Sequence, residues 1–179
     1  MPQSHTAETN PDAAAPNPTH WPAWLDEHGP ALLLLARQWT PDLATAEDIV
    51  QEGFLRFWRS RENATHPLAY LYACVKRCAL EWHRSRRRRK RREESVAEPE
   101  SSGAALLSGP IELDERRQQI EGALARLPEL QREVLVMKVW GMLSFVQIGQ
   151  ALEIPPDTAA SRYRYALVKL REQLPEERL

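Results

Sequence analysis

The run from Arg84 to Arg92 is the part of this sequence whose residue types most clearly indicate a chemical role. Eight of its nine residues are arginine or lysine and none is acidic, although the net charge of the whole chain is only −1. Like charges at this density repel one another along a helix, and the helix dipole offsets little of that cost. The run therefore predicts a local contact with a polyanion such as a phosphate backbone. A solvated tail or a targeting signal is the alternative.

A second candidate for chemistry is the pair Cys74 and Cys78, the only cysteines of the chain, with His83 further along the same predicted helix. Thiolates and imidazoles bind metals, but Cys78 belongs to an apolar stripe and no third ligand has a natural spacing. We therefore expect no metal and no cofactor. Two cysteines do not form a disulfide framework, so a reducing cytoplasm is the expected location. Since no glycine-rich phosphate loop or nucleophile–base pair is present, we expect that the protein is not an enzyme.

The elements that must position these residues are helical. The chain has only 7 glycines, compared with 14 prolines. Seven glycines are too few for the turns of a strand-rich fold, and apolar residues recur at helical spacing. We predict an all-α protein: two small helical domains joined by a flexible linker, the C-terminal one a helix-turn-helix. A disordered tail covers 1–20, the first domain 21–92, an acidic linker 93–111 and the second domain 112–179. No apolar run nears the roughly 18 residues of a membrane span, and no secretory signal is visible, so no membrane contact is expected.

Start and stop signals locate the individual helices. Asp42 or Thr45 is expected to cap the second helix, while Pro67 and Pro156 suit the first turns of the third and last helices. The predicted ranges are 24–39, 45–61, 67–89, 111–126, 129–139, 144–151 and 156–173. The positions expected in the core are Ala46, Ile49, Val50, Gly53 and Phe57; Leu68, Leu71, Val75, Cys78 and Trp82; Leu130, Val134, Met137 and Val139; Val146, Ile148, Ala151 and Leu152; and Ala159, Tyr163, Ala166, Leu167 and Leu170.

The face of the second helix opposite its core stripe is unusual, because Leu55 and Trp58 lie among charged and polar side chains. Exposed apolar groups ringed by polar ones are typical of protein-binding patches. The alternative is that another helix of the same domain covers Trp58. The candidate patch comprises Asp48, Gln51, Glu52, Leu55 and Trp58.

Two surfaces are candidates for nucleic-acid binding. On the third helix, Tyr70 and Arg77 lie roughly opposite the core and lead into the basic run. In the C-terminal block, two short helices, a tight turn at 153–154 and a longer helix have the layout of a helix-turn-helix, whose last helix presents side chains to the major groove. A helical hairpin that binds no DNA is the alternative. The predicted reading surface is Ala160, Ser161, Arg162, Arg164 and Tyr165.

Taken together, these segments resemble a known family. The stretch from Asp48 to Arg59 (DIVQEGFLRFWR) resembles the most characteristic helix of bacterial sigma factors, as does Ala69-Tyr70-Leu71-Tyr72 running on to the arginine-rich end. The run from Leu127 through Arg162 resembles the family's second DNA-binding domain. Because only these two domains are present, the chain is similar to the small extracytoplasmic-function group. The resemblance covers residues 24–92 and 112–174.

The resemblance implies a role for each surface in a protein that binds core RNA polymerase, directs promoter-specific initiation and is nucleoid-associated. Asp48, Gln51, Glu52, Leu55 and Trp58 would dock on the clamp helices of the largest polymerase subunit. The third helix and the loop before it would bind and open the minus-ten element. The last helix would read the minus-thirty-five element. The acidic linker at 93–100 would imitate RNA charge near the exit channel. The minus-ten residues would be Tyr70, Arg77, Arg84, Arg86, Arg87 and Arg88.

Two departures from the family pattern stand out. Glu153 occupies a turn position where glycine is common, which costs energy if its φ is positive. Ala160 stands where relatives often have a basic residue, so the upstream specificity is open. Two other hypotheses remain: a helix-turn-helix regulator that does not join polymerase, and a helical interaction protein with a generic RNA contact. Whether an anti-sigma factor holds the protein inactive is also open.

Overall fold

The structure, a computed structural model, describes residues 21–93 and 122–173, and all regular structure in these ranges is helical. The predicted tail at 1–20 lies outside the described residues, as do the linker beyond Glu93 and most of the helix predicted at 111–126, of which 122–125 is helical. The long helices are α1 (Trp21–Ala36), α2 (Leu43–Ser60), α3 (Pro67–Glu93), α4 (Glu129–Val139), α5 (Phe145–Leu152) and α6 (Pro156–Gln173). A short 3-10 helix, Arg61–Asn63, follows α2.

Local signals account for most of the observed helix ends. The Asp42 carboxylate accepts a hydrogen bond from the Thr45 amide at 2.8 Å, which confirms Asp42 as the cap of α2. The first helix, in contrast, runs from Trp21 to Ala36 and not over 24–39. It ends early because a turn follows Ala36, whose carbonyl accepts from the Trp39 amide at 3.1 Å and from the Thr40 hydroxyl at 3.3 Å.

Helices α2 and α3 form the centre of the N-terminal block, α1–α3. The predicted core stripe of α2 is buried throughout, and Phe54 is buried beside it. Gly53 is the point of closest approach, since a Cβ there would lie 2.6 Å from Val75 Cγ2 and 2.8 Å from Val75 Cα. A glycine at this position therefore lets the two helix backbones come together.

The C-terminal block, α4–α6, has the predicted helix-turn-helix layout. Ser144 and Gln147 form a capping box at the start of α5, with the serine hydroxyl accepting from the Gln147 amide. Glu153 ends α5 with φ 56° and ψ 44°. Glu153 thus adopts the positive φ that costs energy in a residue other than glycine.

The two blocks pack against each other and share one apolar core. Helix α5 lies on α3 and α4 lies against α1, and the shared core includes Leu71 and Val75 from one block and Met137 and Ile148 from the other. The contact is close at Gly141, where a Cβ would lie 2.6 Å from the hydroxyl of Tyr72. Sequence periodicity does not reveal this packing, because it shows which residues are apolar but not which block covers them.

Several core predictions are corrected by this packing. Leu130, Val139, Val146 and Leu167 are exposed at 49%, 43%, 53% and 43%, although the sequence placed them in the core. Conversely, α4 buries Leu135, Val136 and the charged Glu133, because it is covered by both α1 and α6. Helix α3 also buries a second face towards the C-terminal block, which was not among the predicted core positions: Ala69, Tyr72 and Ala79.

Candidate nucleic-acid and protein interfaces

The outer face of α2 presents the predicted protein-binding patch. Asp48 and Gln51 are exposed. Leu55 is exposed at 51%, whereas the other large apolar side chains after the first turn of α2 are buried or half-buried. Burial of an exposed leucine contributes about 1.5–3 kcal/mol. Leu55 is therefore the apolar anchor of this face, with polar groups beside it.

Trp58 is half-buried, and its cover comes partly from the chain that follows α2. The Arg61 guanidinium carbon lies 3.8 Å from the centroid of the Trp58 ring, and the same side chain donates to the Trp58 carbonyl. A cation at this distance is held by the ring quadrupole. Arg61 therefore covers one face of the Trp58 ring, and the pair forms an Arg61–Trp58 stack.

Glu52 has a structural role in addition to its place in the patch. Its carboxylate accepts from Arg56 Nε at 2.8 Å, and Arg56 Nη1 donates to Glu81 of α3 at 2.7 Å. These hydrogen bonds raise the pKa of Arg56 above its ordinary value. The pairing fixes the orientation of Glu52, so Asp48, Gln51 and Leu55 are the members of the patch most open to a partner.

The predicted minus-ten face of α3 lies at the boundary between the blocks. Tyr70 is half-buried, its ring centroid 6.1 Å from that of Phe57, while Arg77 is exposed. Both line a groove of about 390 Å³ whose opposite wall includes Gln150 and Glu153 of the helix-turn-helix. Arg77 Nη2 lies 3.7 Å from the Glu153 carboxylate. The sequence predicted the Tyr70–Arg77 face, but it did not predict that the helix-turn-helix lies beside this face.

The basic run is helical to Glu93 and largely solvent-exposed. Arg86 lies over the Trp82 ring, with 5.5 Å between the guanidinium carbon and the ring centroid. The other predicted phosphate contacts, Arg84, Arg87 and Arg88, are exposed. At helical spacing Arg84 and Arg88 continue the Tyr70–Arg77 face as a column of cations, whereas Arg86 and Arg87 lie on other sides of α3.

The predicted reading surface on α6 divides into two parts. Arg164 and Tyr165 are exposed, Tyr165 at 64%, and Arg164 Nη2 donates to the Ser161 hydroxyl at 3.3 Å. Ser161 itself donates to the Asp157 carbonyl at 2.8 Å. These bonds hold Arg164 along the outer side of the helix. Ala160 and Arg162 are half-buried. Burial raises the pKa of Glu133, and Arg162 lies near enough to oppose that rise.

Both cysteines are buried thiols, and burial raises the pKa of Cys78 to about 11. Within residues 21–93 and 122–173, no three histidine, cysteine or acidic side chains come together as metal ligands. In the same ranges no helix combines the length and apolar character needed to cross a bilayer.

Sequence reasoning did not predict that Lys76, Glu133 and Glu153 lie together at the boundary between the blocks. Lys76 Nζ lies 2.9 Å from Glu133 Oε2, with the lysine side chain 18% and the glutamate side chain 1% exposed. Burial raises the pKa of Glu133, while Lys76 opposes that effect. The third residue, Glu153, drew attention only as a turn residue. A weak signal existed for Lys76, since it lies on the same face of α3 as Ala69, Tyr72 and Ala79.

Comparisons with family models find matches in two separate parts of the chain. A model described as sigma-70 region 2 matches residues 24–89. A second model, described as sigma-70 region 4, matches residues 117–170. The first contains the α2 patch and the Tyr70–Arg77 face, and the second contains the helix-turn-helix.

Individual relatives match over both blocks. The ECF RNA polymerase sigma factor SigL of Mycobacterium tuberculosis is 34% identical over 170 residues, covering 92% of this chain and 94% of the relative. The RNA polymerase sigma-E factor of Streptomyces coelicolor is 29% identical over 147 residues, covering 80% of each. The sigma factor RpoE of Bartonella quintana, solved in complex with the anti-sigma factor NepR, has a similar fold. The TM-score is 0.68 at 21% identity, and the match covers 89% of this chain and 99% of that one.

Proposed function

Because the chain belongs to the extracytoplasmic-function sigma factors, which give bacterial RNA polymerase its promoter specificity, we propose how its surfaces divide that task. Residues 21–92 bind core polymerase and the minus-ten element, and residues 112–179 bind the minus-thirty-five element. The observation that carries this division is the position of the three candidate surfaces on three different helices, α2, α3 and α6, with the α3 surface lining a groove at the boundary between the blocks. The paired matches to regions 2 and 4 favour a sigma factor over a regulator that acts without polymerase. Sigma factors do not catalyse a reaction themselves.

Core polymerase binds the α2 patch, with its clamp helices as the partner. Exposed Leu55 supplies the apolar contact, and Asp48 and Gln51 supply the polar rim. A buried apolar anchor surrounded by polar groups is the usual anatomy of an interface hot spot. The Arg61–Trp58 stack extends this surface towards the next loop.

The deciding experiment is transcription in vitro with the purified full chain, core polymerase from the same bacterium and a library of random promoters. Sequencing of the transcribed templates is expected to reveal a two-part motif with fixed spacing. Enrichment of a one-part motif would contradict the division of labour between the two blocks. DNA binding without polymerase-dependent initiation would contradict the function itself.

The Tyr70–Arg77 face and the basic column hold the minus-ten element, the tyrosine by stacking on an unpaired base and the arginines by gripping phosphates. Stacking on an aromatic ring contributes about 1–3 kcal/mol per base. The Tyr70→Ala variant is therefore expected to lower the rate of promoter opening about tenfold or more. Permanganate reactivity of unpaired thymines in the holoenzyme–promoter complex measures this rate.

The matched control for that variant is Tyr70→Phe, which keeps the ring and removes only the hydroxyl. It should open promoters at nearly the rate of the unmodified protein. Equal losses in Tyr70→Ala and Tyr70→Phe would contradict stacking and would point to a hydrogen bond from the tyrosine.

The outer side of α6 reads the minus-thirty-five element in the major groove. The Ser161 hydroxyl accepts a hydrogen bond from Arg164 Nη2 and keeps this side chain beside the N-terminal half of α6, and an arginine in the major groove can pair bidentately with guanine. The Arg164→Ala variant should lose about 1–3 kcal/mol of discrimination at one or two base pairs. Competition binding of the holoenzyme to single-base promoter variants measures the loss. Lys169→Ala, further along α6, is the control and should leave discrimination intact. An equal loss on every sequence after Arg164→Ala would make Arg164 a phosphate contact.

An anti-sigma factor is the expected protein regulator. The solved relative from Bartonella quintana is bound to one, and its fold covers most of this chain. Regulation would act where the protein works, on the DNA of the nucleoid. Affinity capture with the full chain, followed by transcription in the presence of the captured protein, tests for an inhibitor of this kind.

A further inference from the structure

The column of cations on α3 is interrupted by one acid. Glu81 is the only acidic residue between Tyr70 and Arg92. It follows Arg77 by four residues and precedes Arg84 by three. At helical spacing it therefore lies between those two arginines on the Tyr70–Arg77 face. Its side chain is 48% exposed, so an unpaired carboxylate at this place would repel a DNA phosphate bound to either arginine.

Arg56 of α2 supplies the counter-charge. Its Nη1 donates to Glu81 Oε2 at 2.7 Å, and its Nε donates to Glu52 Oε1 at 2.8 Å. Arginine can hold both acids at once because its planar guanidinium presents several donors in fixed directions, whereas a lysine ammonium is a single point charge. One side chain thus bridges the acid of the Tyr70–Arg77 face and an acid of the α2 patch.

The bridge Glu52–Arg56–Glu81 lies directly at the contact of α2 with α3. Gly53, beside Glu52 in the chain, is the point where the two helices approach most closely. Cys78 of α3 is buried. The pKa of its thiol is raised to about 11, mainly by burial, and all three charged groups of the bridge are near enough to contribute. The three groups therefore form one cluster and not two separate surface pairs.

The electrostatic consequence of losing Arg56 differs on the two sides of the bridge. On α3, Glu81 would remain as a bare negative charge within the column of cations. On α2, Glu52 would lose the hydrogen bond that fixes the orientation of its carboxylate, and would have to be ordered again when a partner binds. Because the side chains are 37–48% exposed, solvent screens both effects and limits their size.

We infer that Arg56 is a positioning residue for both proposed surfaces: it orients Glu52 for core polymerase and neutralises Glu81 for the minus-ten element. It acts through the two glutamates. The inference rests on the functions proposed above for the α2 patch and the Tyr70–Arg77 face. The competing explanation is that the bridge only stabilises the pairing of α2 with α3.

The test is a pair of double-mutant cycles in the full chain. Arg56→Met removes the guanidinium and keeps an unbranched apolar side chain. Glu52→Gln and Glu81→Gln each remove one carboxylate and keep its shape, and each is made alone and together with Arg56→Met. Surface plasmon resonance with immobilised core polymerase measures the first affinity. Fluorescence anisotropy of a labelled promoter enriched in the library experiment, with saturating core polymerase, measures the second.

Arg56→Met alone is expected to weaken both affinities about threefold to fivefold, the scale of partly exposed charge pairs. In the Glu81→Gln background the same change should leave promoter affinity unaltered and should still weaken polymerase binding. In the Glu52→Gln background the pattern should reverse, so that only promoter affinity falls. Each affinity is thus coupled to a different glutamate, which a general loss of structure would not produce.

Salt dependence separates a charge effect from a change of shape. The promoter deficit of Arg56→Met should shrink as salt is added, because the Debye length falls below ~10 Å above about 0.1 M and screens the repulsion from Glu81. Arg126 is exposed and donates to Gln173 at the C-terminal end of α6. Arg126→Met removes the same charge away from the bridge and should leave both affinities nearly unchanged.

Two results would overturn the inference. If Arg56→Met weakens both affinities equally in every background and also lowers the Tm, the bridge has only a structural role. If it leaves both affinities unchanged, the guanidinium positions neither surface. A failure of the proposed function looks different, because the unmodified chain would then not bind core polymerase, and both proposals would be wrong.

Discussion

The Leu55→Asp variant is expected to lower the affinity of the full chain for core RNA polymerase at least about a hundredfold, or ~3 kcal/mol. Leu55 is the apolar anchor of a polar face and is exposed at 51% in the free protein. The substitution removes apolar burial and places a carboxylate where the complex excludes water, so the two penalties add. Surface plasmon resonance with immobilised core polymerase measures the change.

A control on the same helix separates binding from folding. Leu43 is exposed at 41% and lies at the first position of α2, away from the patch. Leu43→Asp makes the same chemical change, and an acid suits a helix N-terminus. This variant should bind core polymerase with unchanged affinity. If Leu55→Asp also binds normally while both variants remain folded, the α2 patch is not the docking surface.

The second large effect concerns stability. Gly53→Ala is expected to lower the free energy of unfolding by about 3 kcal/mol, near the upper end of overpacking costs. The added Cβ would lie 2.6 Å from Val75 Cγ2 and, more seriously, 2.8 Å from Val75 Cα. A side chain can rotate away from such a contact, but a backbone atom in a packed helix cannot, so α2 and α3 must separate. Thermal unfolding followed by circular dichroism should show a Tm lower by ~6–12 °C.

Gly29 of α1 offers the matched comparison. Apart from its chain neighbours, a Cβ there would meet only Leu25 Cδ1, at an ordinary 3.8 Å. Gly29→Ala should therefore change the stability far less than Gly53→Ala, because the backbone entropy that alanine saves in a helix is offset by crowding of its Cβ against the ring of Pro30. If Gly53→Ala were as stable as Gly29→Ala, the close packing of α2 on α3 would be wrong. The separation of α2 from α3 in Gly53→Ala also moves the α2 patch relative to α3. This variant should therefore weaken polymerase binding as well.

The positions of the helices follow closely from sequence because local interactions set them. The cap at Asp42, the proline at position 67 and the Ser144 capping box act within one or two turns. The core stripe of α2 is also correct, since its partner α3 follows directly in the chain. In the C-terminal block the same reasoning placed Val146 and Leu167 in the core, and both are exposed. Helical periodicity identifies an apolar face, but the fold decides which part of it is covered.

The sequence by itself determined the helical class and the helix-turn-helix, because these depend on residue type and short-range spacing. The binding surfaces at Leu55, Tyr70 and Arg164 stay predictions made from the same kind of pattern. Only the tertiary structure decided what these surfaces face. Lys76 and Glu133 are 57 residues apart in the chain and meet in a buried pair. The pairing cannot be predicted from either segment, because each partner is a single polar residue in its helix and does not alter the periodic pattern of apolar residues. The position of Glu153 beside Arg77 depends on the packing of α5 on α3. That packing forms only when both blocks contribute to the shared core.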